Sequence, residues 1–467
     1  MIDMTIAEVA DAVHGTLDAV QDPDATVTGS VEVDSRAVGP GGLFVARRGE
    51  HADGHDFASA AVEAGATVVI AERRVGVPAV VVDDAERALG RLARAVVDRL
   101  PELTVVAVTG SSGKTTTKDM LAQVLELCGP VVAPPGSYNT EVGVPLSTLR
   151  ATADTRILIS EMGARGVGHI TYLCGITPPD VGIVLNVGSA HVGEFGDRET
   201  IARAKSELVE AVHGDGAVVL NGDDALVRRM AEQATAPVLM VGESVHADVR
   251  AENVLVGTDG RANFDLVTPS GTAAVTLGFV GEHHVANALA VAGAAHTLGI
   301  EAARIAERLS AATPQSRWRM EVTERPDGVT IINDAYNANP ESVRAALKSL
   351  AIIGRGRRTV AVLGEMLELG DTAVAEHDAI GRLAVRLNVS LLVVVGPGAA
   401  AMHQGAQLEG SWDGESVQVV DVDAAHALLV DTVRPGDVVL VKSSRDAGLR
   451  FLGDRLAADT TTGDQPA

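Results

Sequence analysis

Aromatic residues and cysteine are both scarce in this sequence. Phenylalanine, tryptophan and tyrosine make up only 2% of its 467 residues, so the core must be built mainly from valine, leucine, isoleucine and alanine. The two cysteines, Cys128 and Cys174, cannot form a disulfide framework or a four-cysteine zinc site. This excludes the disulfide-rich class of secreted domains and fits a protein of a reducing compartment.

Positive charge is also in short supply. The chain has 38 lysine and arginine residues against 62 aspartates and glutamates, which gives a formal net charge of −24. An acidic protein offers no favourable long-range field to nucleic acid or to an anionic membrane, so neither is expected as a partner. The N-terminal segment is acidic and amphipathic, and no apolar run reaches the length of a membrane span. We therefore predict a cytoplasmic protein without stable membrane insertion, and we expect a monomer.

The length of the chain exceeds what one hydrophobic core normally covers. Strand-like and helical patterns alternate along most of it, which indicates parallel sheets of the α/β class. We predict three domains: a small α/β domain at residues 1–84, a central P-loop ATPase domain with a parallel sheet at 85–314, and a doubly wound, Rossmann-like domain at 315–467. The polar tail from residue 459 has nothing to bury and is expected to be disordered.

The most informative stretch is TVVAVTGSSGKTTT, at residues 104–117. A β-branched run predicts a buried strand, a glycine-rich turn follows it, and Lys114 opens a helical pattern. Such a turn lets backbone N–H groups approach a phosphate, while the lysine meets the phosphate oxygens and the Thr115 hydroxyl can reach Mg²⁺. The strict P-loop pattern has a further glycine where this chain has Val108. The predicted nucleotide-binding residues of the loop are Gly110, Ser111, Ser112, Gly113, Lys114, Thr115 and Thr116.

Further polar residues follow other predicted strands of the central domain. In parallel sheets, ligands bind beyond the carboxyl ends of the strands. Glu161 follows one such strand and His191 another, and both are candidate ligands of Mg²⁺ or of its bound water. Lys205 lies in a helical pattern, where spacing alone assigns it no function.

Together these motifs resemble the Mur ligase family. The segments that carry the resemblance occur in the family order and span nearly the whole chain: DSR, GEHADGHDF, TGSSGKTTT, YNTEVGVP, EMGA, NVGSAHVGEFG, IARAKSE, GEHHVANALA, RWRMEV, NDAYNANP, LGEMLELG and VKSSR. The resemblance implies a first domain that binds the UDP end of a precursor, a central ATPase domain, and a last domain that closes over ATP. It also accounts for Val108, because the family's version of the loop likewise begins with Val-Thr-Gly.

The resemblance implies ligands for individual residues as well. Lys114 and Arg319 would contact the phosphates of ATP, and Asn287 would contact the adenine. The nucleoside would meet the closing domain at Asp334 and Tyr336. The UDP-linked precursor is expected to contact Ser35, Arg36 and Asn139.

Two Mg²⁺ ions are implied in the same way. Their expected ligands are Thr115, Glu161, His191 and Lys205, and Lys205 falls where several relatives carry a carbamylated lysine. A carbamate would turn an ammonium group, which repels a metal, into a carboxylate-like ligand. The residues expected to act in catalysis are Lys114, Glu161, His191, Lys205 and Arg319.

The implied reaction is an ATP-dependent ligation of D-alanyl-D-alanine to UDP-N-acetylmuramoyl-tripeptide through an acyl phosphate, for peptidoglycan synthesis. One alternative is the sister ligase that adds the third amino acid, but the Asp-Asn-Pro-Arg segment typical of that enzyme does not occur here. Another is a regulatory ATP-binding protein or a plain NTPase. The chain departs from the family pattern at Trp318, where glycine is frequent, and at Asn333, where aspartate is frequent.

Overall fold

A computed structural model of the protein describes residues 1–49, 52–188, 196–410 and 412–458. His191 and the predicted disordered tail from residue 459 lie outside these described residues. Three α/β units follow one another along the chain, each built around its own mainly parallel sheet. The predicted fold class is confirmed, whereas the domain boundaries at residues 84 and 314 stay predictions.

The first unit is a small sheet with helices on both faces. Its elements are β1 (Met4–Thr5), α1 (Ile6–Val13), β2 (Thr16–Asp18), β3 (Thr26–Val27), β4 (Val31–Glu32), β5 (Gly42–Val45), α2 (Ala58–Glu63), β6 (Ala66–Ala71), β7 (Ala79–Val81) and α3 (Ala85–Asp98). The sheet has the order β2-β7-β6-β5-β4, with β2 antiparallel at one edge, and β1 pairs with β3 separately. Helices α1 and α3 bury their apolar faces against one side of this sheet, and α2 covers the other.

The central unit contains the largest sheet. Its elements are β8 (Thr104–Thr109), α4 (Lys114–Val124), β9 (Val131–Val132), α5 (Gly143–Thr148), β10 (Ile157–Glu161), α6 (His169–Ile176), β11 (Val181–Val184), α7 (Arg198–Ala211), β12 (Ala217–Asn221), α8 (Ala225–Arg229), β13 (Val238–Gly242), β14 (Val249–Val256), β15 (Arg261–Thr268), β16 (Gly271–Val280), α9 (His284–Thr297) and α10 (Ala302–Ala311). The strand order is β16-β15-β14-β13-β12-β11-β8-β10-β9, with β8 between β11 and β10. The parallel strands therefore bring the ends of β8, β10 and β11 to one edge.

The third unit is doubly wound. Its elements are β17 (Glu321–Glu324), β18 (Thr330–Asn333), α11 (Pro340–Ile353), β19 (Thr359–Leu363), α12 (Ala373–Arg386), β20 (Leu391–Val395), α13 (Ala400–Leu408), β21 (Glu415–Val419), α14 (Val422–Thr432), β22 (Val438–Lys442) and α15 (Leu449–Ala458). The order is β17-β18-β22-β19-β20-β21, and only the edge pair β17 with β18 is antiparallel among these strands. Alternate residues of its strands face two separate aliphatic cores, one under α11 to α13 and one under α14 and α15.

The cores are built from small aliphatic side chains, as the composition predicts. Phe44 heads the fully buried side chains by volume, and valine, leucine, isoleucine and alanine supply most of the rest. Among the residues that the structure describes, no helix combines the length and the apolar character needed to cross a membrane.

The connection to the third unit is fastened to α4, the helix that follows the glycine-rich loop. Asp119 accepts hydrogen bonds from the Ser316 backbone N–H at 2.9 Å and from the Ser316 hydroxyl at 3.1 Å. Gln123 donates to the Thr313 carbonyl at 2.8 Å and accepts from the Thr313 N–H at 3.0 Å. The segment that leads into the third unit is therefore held in place by its hydrogen bonds to α4.

Asp119 also compensates a buried cation, and its removal should destabilise the fold. The Lys118 ammonium lies 2.5 Å from the Asp119 carboxylate, and both side chains are buried. In Asp119→Ala we expect the free energy of unfolding, followed in urea, to fall by about 3–5 kcal/mol because Lys118 loses its partner. The exposed ion pair of Arg94 and Asp98 is the control. Asp98→Ala should lower the free energy of unfolding by only about 0.5 kcal/mol. Equal effects of the two substitutions would contradict this account.

Candidate active site

The glycine-rich loop has the backbone shape that an anion cradle needs. It joins β8 to α4, and Gly113, which precedes the first residue of α4, has φ of 83°. That left-handed conformation favours glycine. A Cβ at Gly113 would also lie 2.5 Å from Asn287 Oδ1, so the position has no room for a side chain. The N–H groups of the first turn of α4 have no partner within the helix and can meet a phosphate.

The loop is held in shape by the segment after β11. Asn186 Oδ1 accepts from the Ser112 N–H at 3.0 Å, and Asn186 Nδ2 donates to the Ser112 carbonyl at 3.2 Å. The Ser111 N–H donates to the Asn186 carbonyl at 3.1 Å, and the Gly188 N–H donates to Ser111 Oγ at 2.9 Å. The end of the neighbouring strand thus preorganises the cradle before any ligand arrives.

Two lysine side chains lie close enough at this edge of the sheet for their charges to interact. Lys114 Nζ donates to the Gly110 carbonyl at 2.6 Å, so the ammonium folds back over the loop. Burial lowers the pKa of Lys114, while the Glu161 carboxylate acts in the opposite direction. Lys205, on α7, is only 4% exposed, and burial together with the charge of Lys114 lowers its pKa to about 7. The pair favours an anionic group between them.

Glu161 forms the centre of a candidate metal site. It ends β10, is 1% exposed, and its Oε1 accepts from Asn139 Nδ2 at 2.8 Å and from Thr115 Oγ1 at 3.4 Å. The other oxygen, Oε2, is buried and has no hydrogen-bond partner among the described residues. A buried carboxylate oxygen without a partner is costly, and a cation would compensate it. The described residues contain no cluster of three or more His, Cys, Asp or Glu side chains that could hold a metal ion.

The third unit reaches across to the cradle through Arg319. Arg319 Nη2 lies 3.2 Å from Thr115 Oγ1 and 3.0 Å from Ser137 Oγ, and the guanidinium lies 4.2 Å from the centre of the Tyr336 ring. A second contact joins Asn339 Nδ2 to the Ser111 carbonyl at 3.4 Å. Because Arg319 comes from the far side of the connecting segment, the two units complete one site.

A cavity of about 430 Å³ opens between these units. Thr115 and Ser137 line it from the central unit, and Arg319 and Tyr336 line it from the third unit. Further along its wall lie the apolar side chains Ala122, Ala133, Pro134 and Pro135. The cavity therefore adjoins the cradle and combines a cationic end with an apolar wall.

Asp334 and Asn287 flank the same region but have other partners. Asp334 forms a 2.6 Å ion pair with Lys442, whose side chain is 2% exposed. Asn287, at the start of α9, donates from Nδ2 to His284 Nδ1 at 3.1 Å, which defines that nitrogen as the acceptor. Burial holds the pKa of His284 well below its usual range, so the ring is neutral and can accept this bond.

The structure does not unite all the predicted residues. Ser35 and Arg36 lie after β4 in the first unit, where Arg36 pairs with Asp34 at 2.7 Å and is exposed. The described contacts do not connect these two residues with the cradle, and their binding roles stay predictions. Thr116 lies in the first turn of α4 beside Thr115, as predicted.

Ser137 and Lys442 take part in the site but are absent from the predicted set. Ser137 bridges Thr115 and Arg319, yet a single serine in the loop after β9 carries no signal of its own. Lys442 is the last residue of β22 and belongs to the VKSSR segment. Because ligands bind beyond the carboxyl ends of parallel strands, this position could have marked it as a site residue. Asn186 lies in the motif that also contains His191, and its role in holding the loop could not be read from spacing.

Comparison with known proteins gives a consistent result along the chain. Residues 28–108 match the Mur ligase family catalytic domain, residues 108–295 the Mur ligase middle domain, and residues 318–445 the Mur ligase glutamate ligase domain. A UDP-N-acetylmuramoyl-tripeptide–D-alanyl-D-alanine ligase of Mycobacterium tuberculosis is 50% identical, over 99% of this chain and 99% of that protein.

Solved structures agree with this match. MurF from Acinetobacter baumannii superposes with a TM-score of 0.88 at 32% identity, covering 98% of this chain and 99% of its own. MurF ligase from Thermotoga maritima in complex with ADP gives a TM-score of 0.78 at 31% identity, covering 91% of this chain and 96% of its own. The cradle, the buried glutamate and the arginine from the third unit lie within the matched regions. The chain belongs to the Mur ligase family.

Proposed function

We propose that this protein joins D-alanyl-D-alanine to UDP-N-acetylmuramoyl-tripeptide with cleavage of ATP to ADP and phosphate. The product is the pentapeptide precursor used in peptidoglycan synthesis. The proposal is supported by the full-length similarity to ligases of that name and by the similarity to a MurF structure that contains ADP. The observation that carries it is the convergence of Lys114, Glu161 and Arg319 on one cradle from two units of the chain.

The chemistry follows from the charges that must meet. A peptide carboxylate is a poor electrophile, so its oxygen first attacks the γ-phosphorus of ATP, the bond to ADP breaks, and an acyl phosphate forms. The amine of the dipeptide then attacks the acyl carbon, and phosphate leaves as the amide forms. Both steps bring anions together, so Lys114 and Arg319 act by holding and stabilising the phosphoryl oxygens.

The residues around Glu161 fit Mg²⁺. Thr115 and Glu161 would hold the ion that accompanies ATP, because the hydroxyl and the partnerless Oε2 are hard oxygen donors. When bound, Mg²⁺ neutralises charge on the phosphate oxygens. We assign the second ion to Lys205, as a carbamate, and to His191, which lies outside the described residues.

A carbamate on Lys205 is consistent with its surroundings. Formation of the carbamate requires an uncharged amine, which attacks CO₂ so that a nitrogen–carbon bond forms and a proton leaves. The lowered pKa of about 7 leaves a large share of the Lys205 side chain uncharged near neutral pH. The resulting anion would remove the repulsion between Lys205 and Lys114.

The remaining predicted contacts complete the proposal. Asn287 would contact the adenine, and Asp334 and Tyr336 the nucleoside. On the precursor side, Asn139 is already hydrogen-bonded to Glu161 and would contact the muramoyl peptide, and Ser35 with Arg36 would contact the uridine. A cytoplasmic location, a monomeric state and the three-domain division belong to the proposal as well.

Replacement of the Glu161 carboxylate should weaken the binding of Mg²⁺ and leave the protein folded. In Glu161→Gln we expect amide formation to fall about a hundredfold at saturating ATP, with a higher half-saturating concentration of Mg²⁺. The glutamine side chain keeps a carbonyl oxygen that can accept from Asn139 Nδ2, so the melting temperature should be maintained. The measurement is the rate as a function of Mg²⁺ concentration, and an unchanged Mg²⁺ dependence would contradict the assignment. Glu102→Gln, on an exposed loop, is the control.

The test of the function is phosphate release from Mg-ATP with the tripeptide precursor, with and without D-alanyl-D-alanine, while the peptide product is followed by mass. We expect release to require both substrates and the product to be heavier by one dipeptide. Release that is independent of D-alanyl-D-alanine would indicate an NTPase. Addition of a single amino acid to the shorter dipeptide precursor would indicate the sister ligase.

A further inference from the structure

The backbone on both sides of Arg319 adopts a conformation that favours glycine. Trp318 has φ of 60° and Met320 has φ of 49°, although neither is glycine. Arg319 lies between them, and its side chain extends to Thr115 and Ser137 in the central unit. A strained backbone of this kind persists only where the surroundings hold it. The contacts of its neighbours therefore decide where the guanidinium lies.

Trp318 is held by the last described helix, α15. Its indole Nε1–H donates to both carboxylate oxygens of Asp454, at 3.0 and 3.1 Å. The ring meets Phe451 edge-on with 6.0 Å between centroids, and the Arg450 guanidinium lies 5.5 Å from the ring centre. The backbone N–H of Trp318 donates to Glu321 Oε2 at 2.9 Å. Both ends of the residue are thus fixed.

Asp454 gathers two further donors. Arg317 Nη2 lies 3.0 Å from Asp454 Oδ1, and Asn333 Nδ2 lies 3.2 Å from the same oxygen. Asn333 is buried and also donates to the Arg450 carbonyl at 2.9 Å. An aspartate at position 333 would place a second carboxylate against Asp454. The two positions where this chain departs from the family pattern, Trp318 and Asn333, therefore meet at one carboxylate.

The packing of α15 leaves little freedom at this point. A Cβ at Gly453 would lie 2.3 Å from Asn333 Nδ2, so the helix approaches the end of β18 as closely as its backbone allows. On the other side of Arg319, the Met320 N–H donates to Asp334 Oδ1 at 3.1 Å. Met320 is therefore anchored directly to Asp334, while Trp318 shares the Asp454 carboxylate with the adjacent Asn333.

We propose that Asp454, Trp318, Asn333 and Arg317, here called the Asp454 cluster, position Arg319 for its contact with the phosphates of ATP. Asp454 acts as a positioning residue and does not touch the substrate. Arginine has many side-chain conformations, and fixing its backbone removes those that miss the cradle. The helix α15 thereby becomes part of the phosphoryl-transfer site. The inference rests on the proposed function, because that function gives Arg319 its ligand.

The test is a double-mutant cycle between Asp454→Ala and Arg319→Ala. Alone, Asp454→Ala should lower kcat by about tenfold to a hundredfold, with little change in the KM for the tripeptide precursor. In the Arg319→Ala background the same substitution should cost less than about a further twofold, because the group it positions is gone. Asp423→Ala is the matched control, since it removes the exposed ion pair of Arg455 on the same helix and should leave kcat unchanged.

Two outcomes would overturn the inference. One is a wild-type kcat in Asp454→Ala, and the other is a loss that persists in full without Arg319, which is what a purely structural role would give. If Asp454→Ala folds poorly, Trp318→Phe keeps an aromatic ring at this position but removes the pyrrole part of the indole with its Nε1–H donor. It should show a smaller loss with the same dependence on Arg319, and additive losses would again refute the inference.

The affinity for Mg-ADP tests the role of the Asp454 cluster without requiring amide formation. In a Trp412→Phe background Trp318 is the remaining tryptophan of the two in the chain, so its emission can report nucleotide binding. We expect Asp454→Ala to raise the Kd of Mg-ADP in the wild-type background and to cause no further rise in an Arg319→Ala background. A Kd that does not change on removal of Asp454 counts against the cluster. If the wild type binds Mg-ADP but makes no amide, the proposed function fails while this measurement still decides on the cluster.

Discussion

Lys114→Ala will lower the rate of amide formation by about a thousandfold while the protein stays folded. The ammonium folds over the loop and, apart from the Gly110 carbonyl, faces the position of the phosphates. Lys114 is the first residue of α4, directly after the glycine-rich loop, and alanine at this position carries no charge. Burial lowers the pKa of Lys114 and so opposes its charge, and we expect the fold to tolerate its removal.

The measurement for Lys114 pairs turnover with thermal unfolding. Lys348→Ala is the matched control, because Lys348 is an exposed lysine on α11. Lys348→Ala should melt within about 2 °C of the wild type, since surface changes rarely exceed about 0.5 kcal/mol. Lys114→Ala should melt in the same range, because burial already opposes the charge that it removes. Ligase activity at the wild-type level in Lys114→Ala would refute the assignment of the phosphate cradle.

Lys205→Ala should be nearly inactive and should regain part of its activity when a short carboxylate such as formate or acetate is added. The substitution leaves space at a buried position, and the added anion would stand where the carbamate is proposed. We expect a loss of about a thousandfold and a recovery of about tenfold or more. The recovery should saturate with carboxylate concentration, as binding to a defined space requires.

Lys205→Arg is the control for this rescue. Arginine fills the space and cannot form the carbamate at physiological pH, so carboxylates should restore nothing. Mass spectrometry of the native wild type should also show a labile CO₂ adduct that acid removes. Absence of both the rescue and the adduct would leave Lys205 as a buried cation, and the second metal ligand would have to be sought elsewhere.

The fold was largely predictable because its signals are local. The alternation of aliphatic strands with helices predicted the parallel sheets. In the third sheet, alternate residues of β18, β19 and β22 lie in two separate cores. The glycine-rich loop was equally clear, because a β-branched run, a glycine-rich turn and Lys114 follow one another in the sequence, and the structure gives Gly113 a φ of 83° that favours glycine. The strand ends also indicated that Glu161 would lie near the loop.

The remainder depends on contacts between residues far apart in the chain. Ser137 and Arg319 are 182 positions apart, and Trp318 and Asp454 are 136 apart. No periodicity connects such pairs, because they arise only when distant segments of the chain pack together. The roles of Arg319 and Tyr336 came from the resemblance, whereas the Asp454 cluster became visible only from the geometry around them. The roles of Ser35 and Arg36 likewise came from the resemblance and stay predictions.

The central claim is that ATP activates the peptide carboxylate by direct phosphoryl transfer. The most direct measurement uses tripeptide precursor with ¹⁸O in the terminal carboxylate and follows the label into released phosphate by mass. We predict one ¹⁸O atom in each phosphate, because the carboxylate oxygen attacks phosphorus and then leaves with it when the dipeptide amine displaces phosphate from the acyl carbon. Phosphate without the label would mean that water attacks ATP, and it would contradict the account built on Lys114, Glu161 and Arg319.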